Sequence, residues 1–227
     1  LLLAFARPAQ WQLHLIDVGQ GLAVLLQHGQ RGLLYDVGPR YGQHSATASQ
    51  VLPYLRQRGV RQLDYLILSH DDSDHTGDWQ LLKAFYPKAQ IYTDIDSIFN
   101  AQPCSALPQQ YLTIRLDMLD TGPGRGSKND NSCVLLIQIY DWKILLPGDI
   151  GTKVEQQLML DYPDLTANVL VLSHHGSNTS SHFTFLHQLA PQLALNSASL
   201  YNRHQHPAMA VQQRLQILGI PLFNTAQ

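Results

Sequence analysis

A buried strand that runs straight into a cluster of metal-binding residue types is the feature that most restricts this chain. Leu63-Asp64-Tyr65-Leu66-Ile67-Leu68 is a mostly apolar run of strand length, the pattern of a strand covered on both faces. Ser69-His70-Asp71-Asp72-Ser73-Asp74-His75-Thr76-Gly77 follows without a spacer. His70, Asp72, Asp74 and His75 are four candidate ligands within six residues. In extended geometry His70, Asp72 and Asp74 project to one side, and a tight turn at 74–76 brings His75 beside Asp74. Imidazole nitrogens and carboxylate oxygens both ligate divalent first-row cations. The alternative is a polar loop whose aspartates cap the next helix. That would pack two histidines and three aspartates together with no counter-charge.

Around this cluster, short apolar runs alternate with helical stretches. Residues 11–17 and 21–28 read as strands about Gly19-Gln20-Gly21, and 31–36 as a third, ended by Gly38-Pro39. A helix is expected over 45–58, with Ser45 as a candidate cap and Pro53 as an awkward interior residue. Further helices are expected near 77–86, 153–160, 181–189 and 207–218, and strands at 90–93, 111–117, 133–140, 142–147, 168–172 and 192–197. Asp141 falls in a tight hairpin between two of those strands. Segments 99–110 and 121–132 read as loops. Interleaving of this kind predicts an α/β domain whose sheets are covered by helices.

The 227 residues suit one large domain or two small ones. Only 14 % are charged and the net charge is −2, which argues against a domain that binds nucleic acid chiefly through a basic surface. Histidine is abundant at eleven copies. His14, His28, His44, His182, His187 and His204 read as structural or solvated. Cys104 and Cys133 cannot build a multi-disulfide scaffold, and they leave the redox compartment open. No apolar run reaches the roughly eighteen residues of a membrane span. Leu1-Leu2-Leu3-Ala4-Phe5-Ala6 lacks the charged start of a signal peptide. It reads as the end of an upstream hydrophobic segment, so residues 1–10 are expected to be a remnant or linker and 11–227 a single domain.

The 69–77 cluster resembles the metallo-β-lactamase signature His-x-His-x-Asp-His, with Asp72 in place of the second histidine. Leu145-Leu146-Pro147-Gly148-Asp149 is similar to that family's strand-ending Gly-Asp, and Ser173-His174-His175-Gly176-Ser177 to its late His-His-Gly-Ser. Ile16-Asp17-Val18-Gly19-Gln20-Gly21 and Tyr35-Asp36-Val37-Gly38 look like its opening strands. With Asn129-Asp130-Asn131-Ser132-Cys133-Val134-Leu135, these motifs in this order resemble the C-terminal metallo-β-lactamase-like domain of the ComEC family of DNA-uptake proteins. The chain departs from that subfamily at Leu22, where Asp usually follows Gly-Gln-Gly, and at Asp78, where a second Gly usually stands. The family's closing strand reads as cut short after Pro221-Leu222-Phe223-Asn224.

The resemblance implies an αββα sandwich holding two divalent cations. His70 and Asp72 are the implied ligands of the first, Asp74 and His75 of the second, with Asp149 bridging. One of His174 and His175 joins the second site, and His175, the one before glycine, is preferred. Asp74, Asp149 and His174 are the implied catalytic groups, His174 as a proton donor to the leaving group. Asn131, Ser132, Ser177 and His206 are implied substrate contacts. Arg125 and Lys128 in the 121–132 loop are candidates for phosphate contact, and Ser177, Asn178, Thr179 and Ser180 either bind phosphate or cap the helix near 181. Three carboxylates favour hard cations, so Mn²⁺ is expected, with Mg²⁺ or Zn²⁺ as alternatives, and no small-molecule cofactor. The implied activity is a deoxyribonuclease that degrades the strand not taken up during natural transformation. Its implied partners are single-stranded DNA and the rest of a parent inner-membrane channel protein, with the domain on the periplasmic or outer face. The rivals are another phosphodiester, ester or lactam hydrolase of this fold, or a non-catalytic domain that binds DNA or organises the channel.

Overall fold

The strands read as unbroken apolar runs because both of their faces are covered. In β11 (Val134–Ile139) the side chains of Val134 and Leu136 face one apolar cluster, while Leu135, Ile137 and Ile139 face another. A computed structural model describes residues 1–4, 10–122 and 127–226. In chain order its first half contains β1 (Leu2–Ala4), β2 (Trp11–Leu15), β3 (Val24–His28), β4 (Arg31–Tyr35), the short pair β5 (Arg40–Tyr41) and β6 (His44–Ser45), α1 (Leu52–Gln57), β7 (Gln62–Ile67), α2 (Ser73–Thr76), α3 (Trp79–Phe85) and β8 (Gln90–Tyr92). The second half contains β9 (Gln110–Tyr111), β10 (Ile114–Leu119), β11, β12 (Trp142–Leu146), α4 (Thr152–Asp161), β13 (Val169–Val171), α5 (Phe183–Leu189), β14 (Leu193–Asn196), α6 (Met209–Ile217) and β15 (Leu222–Asn224).

The first half forms a six-stranded sheet in the order β1-β2-β3-β4-β7-β8, and the second a seven-stranded sheet in the order β15-β14-β13-β12-β11-β10-β9. The sheets pack face to face over a core that includes Trp11, Leu13, Leu33 and Tyr35 from one and Leu135, Ile137, Ile144 and Val171 from the other. Outside the first sheet, Leu52, Leu55 and Leu82 of α1 and α3 cover Leu25, Leu34 and Leu66. Outside the second, Val154, Leu158, Phe185, Leu186, Val211 and Leu215 of α4, α5 and α6 cover Leu136, Leu145 and Leu170. The architecture is the expected αββα sandwich. Strands β4, β7 and β8 run parallel, as do β12, β13, β14 and β15. No helix among the described residues is long and apolar enough to cross a membrane.

Several expected boundaries move. Residues 2–4 belong to the first sheet, β1 pairing antiparallel with β2 from Leu2↔His14 to Ala4↔Gln12; residues 5–9 lie outside the described residues. The helix expected over 45–58 is a wide π turn at Thr47–Val51 followed by α1, with Pro53 in the first turn of α1. Proline is tolerated there because the first turn of a regular helix has no use for its N–H. Ser45 does act as a local cap: its Oγ accepts the Ala48 N–H at 3.2 Å. The helix expected near 77–86 is α3 at Trp79–Phe85, and it is separated from the single turn of α2 by Gly77 (φ 38°), where a β carbon would collide with the Gly38 carbonyl oxygen.

The two cysteines form a disulfide, Cys104–Cys133, across a sequence separation of 29. It ties the segment after β8 to the start of β11, and closing such a loop is worth about 3–4 kcal/mol on chain-entropy grounds. The subfamily departures also have structural places. Leu22 lies in the core between the sheets, and Asp78 accepts from Arg40 Nη1 at 3.1 Å.

Candidate metal centre

Parallel strands deliver their C-terminal ends to one edge of the sandwich, where ligand sites of α/β sheets commonly form. Asp36 follows β4, Ser69 to His75 follow β7, Asp149 follows β12, His174 and His175 follow β13, and Ser197 follows β14. The single turn of α2 carries Asp74 and His75. Gly21 lets the opening loop press against that turn, since a β carbon there would stand 2.5 Å from the Asp74 carbonyl oxygen. The Leu22 N–H donates to that same oxygen at 3.1 Å.

Three buried imidazoles are oriented alike. His75 Nδ1 lies 2.7 Å from Asp36 Oδ2, His175 Nδ1 lies 3.0 Å from the Ser197 carbonyl oxygen, and His70 Nδ1 lies 2.9 Å from Ser69 Oγ. The Ser69 hydroxyl itself donates to Asp36 Oδ2 at 2.7 Å, so it accepts from His70. Each ring therefore places its proton on Nδ1 and turns the Nε2 lone pair inward, the tautomer a metal-ligating histidine adopts. His75 Nε2 is 3.2 Å from His175 Nε2 and 3.2 Å from Asp149 Oδ1. His175 Nε2 is 3.2 Å from Asp74 Oδ2 and 3.5 Å from Asp149 Oδ2. His70 Nε2 is buried and has no hydrogen-bond partner. Two triads result, His70–His75–Asp149 and Asp74–His75–His175, each with ligand atoms within 4.8 Å of one another.

Lone pairs and carboxylate oxygens this close repel unless positive charge enters among them, and a divalent cation fits that donor set. The titration behaviour expresses the same demand. Burial opposes a charge on His75, but Asp149 and Asp36 outweigh it and hold its pKa well above the ordinary value. Burial likewise works against an ionised Asp149, and His75 and His175 pull its carboxyl well below the usual range. For Asp74, burial is again overcome, by the His175 hydrogen bond and the charges of His75 and His175, which lower it to about 2.

The sequence profile of the Metallo-beta-lactamase superfamily matches residues 16–101. Competence protein ComA of Neisseria gonorrhoeae is 37 % identical over 212 residues, covering 92 % of this chain and 30 % of that protein. Recombination protein 2 of Haemophilus influenzae is 32 % identical over 221 residues, covering 95 % of this chain and 28 % of that protein. The chain belongs to the metallo-β-lactamase superfamily. It spans less than a third of the length of these two curated relatives, a competence protein and a recombination protein by name. A putative metal-dependent hydrolase from Parabacteroides distasonis shares the fold of this metallo-β-lactamase domain at a TM-score of 0.60, with 12 % identity, covering 100 % of this chain and 99 % of that one.

The domain brings His70, Asp74, His75, Asp149 and His175 together. Asp72 stands at the margin, more exposed, with Oδ2 3.6 Å from His70 Nε2 and outside both triads. Of the two late histidines, His175 joins the cluster. His174 is 32 % exposed and its Nε2 lies 3.9 Å from Asp149 Oδ2. His206 stands beside them, its ring centroid 5.8 Å from that of His174, with its pKa lowered to about 4 chiefly by burial. Asn131 borders a smaller cleft together with Ser69 and His70. Ser132 is buried, and its Oγ accepts the Asp149 N–H at 3.0 Å while donating to the Asn129 carbonyl at 2.7 Å. It thus supports Asp149, and it also borders an open space together with Asn131 and Asp94. Ser177 is buried and exchanges a hydrogen bond with Thr179 at 3.0 Å. Lys128 donates to Asp71 Oδ2 at 3.1 Å. Arg125 lies outside the described residues. Asp36, Ser69 and Ser197 are additions that sequence reasoning missed as site residues.

Proposed function

We propose that this metallo-β-lactamase domain is a metal-dependent deoxyribonuclease within a DNA-uptake protein, degrading the strand that is not taken up. The carrying observation is the convergence of three Nε2 lone pairs on Asp149 and Asp74, including the partnerless buried Nε2 of His70. The names of the similar proteins supply the DNA context. His70, with Asp72 at its edge, and Asp149 would hold one divalent cation; Asp74, His75 and His175 would hold the other, with Asp149 between them. Cations there would supply Lewis acidity to a phosphodiester and its attacking water. Asp74 and Asp149, joined by Asp72 once it turns in from the margin, would make three carboxylate donors and favour Mn²⁺ over Zn²⁺.

The chain's own groups do the rest. Ser132 fixes the Asp149 backbone, and Asp36 and Ser197 fix the ring planes of His75 and His175. Burial foremost lowers the His174 pKa, so His174 is neutral near pH 7. Thr179 Oγ1, 3.4 Å from its Nδ1, can donate there and leave Nε2–H to face the cleft. That N–H, 3.9 Å from Asp149 Oδ2, would donate to a phosphate oxygen or protonate a leaving oxygen held at the centre. The Cys104–Cys133 disulfide favours an oxidising compartment, in keeping with a place outside the cytoplasm, where degradation precedes entry. The test is cleavage of labelled single-stranded DNA after reconstitution with Mn²⁺, Mg²⁺ or Zn²⁺, with bis-p-nitrophenyl phosphate and nitrocefin alongside. Mn²⁺-dependent DNA cleavage, lost in His70→Ala and Asp149→Ala, is expected. Nitrocefin turnover without DNA cleavage would overturn the assignment.

A further inference from the structure

The cleft beside the metal centre has a second wall to which the metal chemistry gives no role. An open space of ≈ 570 Å³ has Asp74, His174 and His175 on one side and Tyr41, Tyr201 and Arg203 among its other lining residues. Tyr201 is 94 % exposed and Tyr41 is 54 % exposed. Two exposed aromatic rings at the mouth of one polar cleft offer flat apolar faces that a ligand can cover.

Both rings stand on constrained backbone. Tyr41 sits in the β5–β6 hairpin, where Tyr41 pairs with His44 and Gly42 turns at φ 60°, and that hairpin packs against α2, the turn carrying Asp74 and His75. Tyr201 stands in the loop after β14, which Asn202 pins. Asn202 Nδ2 donates to the carbonyls of Ser199 and His206 at 2.8 and 2.6 Å, and its Oδ1 accepts the His206 N–H at 2.7 Å. Arg203 Nε donates to His204 Nε2 at 2.9 Å, holding the guanidinium at the same mouth. A tyrosine on pinned backbone has only two side-chain torsions to fix on binding.

We propose that Tyr201 and Tyr41, with Arg203, form a stacking subsite for a base of single-stranded nucleic acid next to the scissile phosphate. The inference rests on the phosphodiesterase reading of the metal centre and names the form of its substrate. An aromatic face recognises any nucleobase, and only an unpaired strand can offer base faces to it. A guanidinium beside the rings suits the flanking phosphate. The chain's net charge of −2 accords with affinity drawn from stacking and not from a broad basic surface.

The test is binding of fluorescein-labelled dT12, followed by anisotropy in EDTA so that no cleavage occurs. Tyr201→Ala should weaken dT12 binding by about 5- to 100-fold, the worth of one stacked base, while Tyr201→Phe retains it. Tyr41→Ala should lose affinity in the same sense. An abasic 12-mer and a blunt duplex should bind the wild type more weakly than dT12. Because Tyr201 is exposed, an unchanged Tm for the alanine variant separates lost stacking from lost fold. Equal dT12 affinity in wild type and Tyr201→Ala, equal affinity for the abasic strand, or no measurable dT12 binding by the wild type would each overturn the subsite. Intact, base-dependent binding with no cleavage under any metal would sustain the subsite and refute the nuclease reading alone.

Discussion

His75 uses both ring nitrogens, one for Asp36 and one for the centre, and neither partner adjoins it in sequence. Such a buried carboxylate fixes the tautomer and ring plane of a ligand, and losing it commonly weakens metal affinity about 10- to 100-fold. Asp36→Asn is therefore expected to weaken Mn²⁺ binding within that range while His70, Asp149 and His175 stay in place; calorimetric titration of the metal reads it directly. Unchanged affinity would remove Asp36 from the centre. The ligand candidates themselves were legible in the sequence, because His70 to His75, Gly148-Asp149 and His174-His175 are local motifs with recognisable donors. Asp36 and Ser197 were not, since their roles depend on β4 lying beside β7 and on β14 lying beside β13. The support that Ser132 gives Asp149 is equally hidden from the sequence, since it depends on the loop before β11 lying beside the end of β12.

At the level of elements, α4 is coupled to the turn before α5 through a buried acid. Glu155 is fully buried and accepts the backbone N–H groups of Ser181 and His182 at 2.6 and 2.9 Å. Arg214 of α6 grips the same turn from the other side, donating to the carbonyls of Ser180 and Ser181 at 3.1 and 3.2 Å. Burial raises the Glu155 pKa from 4.5 to about 7, against those backbone hydrogen bonds. The folded state thus holds a proton that the unfolded chain releases near 4.5. Stability from this group is complete below pH 4.5, falls as pH rises, and levels off above about 7. Glu155→Gln should flatten the fall in Tm between those limits relative to wild type, as thermal melts across the pH range would record; an identical slope would rule the coupling out. Elements were legible where periodicity is strong, as in α4 and the β11–β12 hairpin, whose strands pair from Leu135↔Leu146 to Ile139↔Trp142. Apolar spacing misleads at 45–58, where it gives no sign of the wide π turn at Thr47–Val51 that precedes α1.

For the molecule as a whole, the centre draws His70, Asp74 and His75 from the first sheet's loops and Asp149 and His175 from the second's. A cation bound there would hold the two halves of the sandwich together and so link metal binding to folding. Added Mn²⁺ should raise Tm, equivalent to about 2.7 kcal/mol at a hundredfold excess over Kd. His70→Ala and His175→Ala, one in each half, should each abolish the rise in differential scanning fluorimetry. A full shift in either variant would deny the shared centre. The same division of ligands has a consequence for how such a chain is made. Neither sheet alone carries a complete donor set, so a growing polypeptide that has emerged only through β8 has no working centre. On the proposed function, the cell's own nucleic acid is safe from the nascent enzyme until the last parallel strands are synthesised and docked.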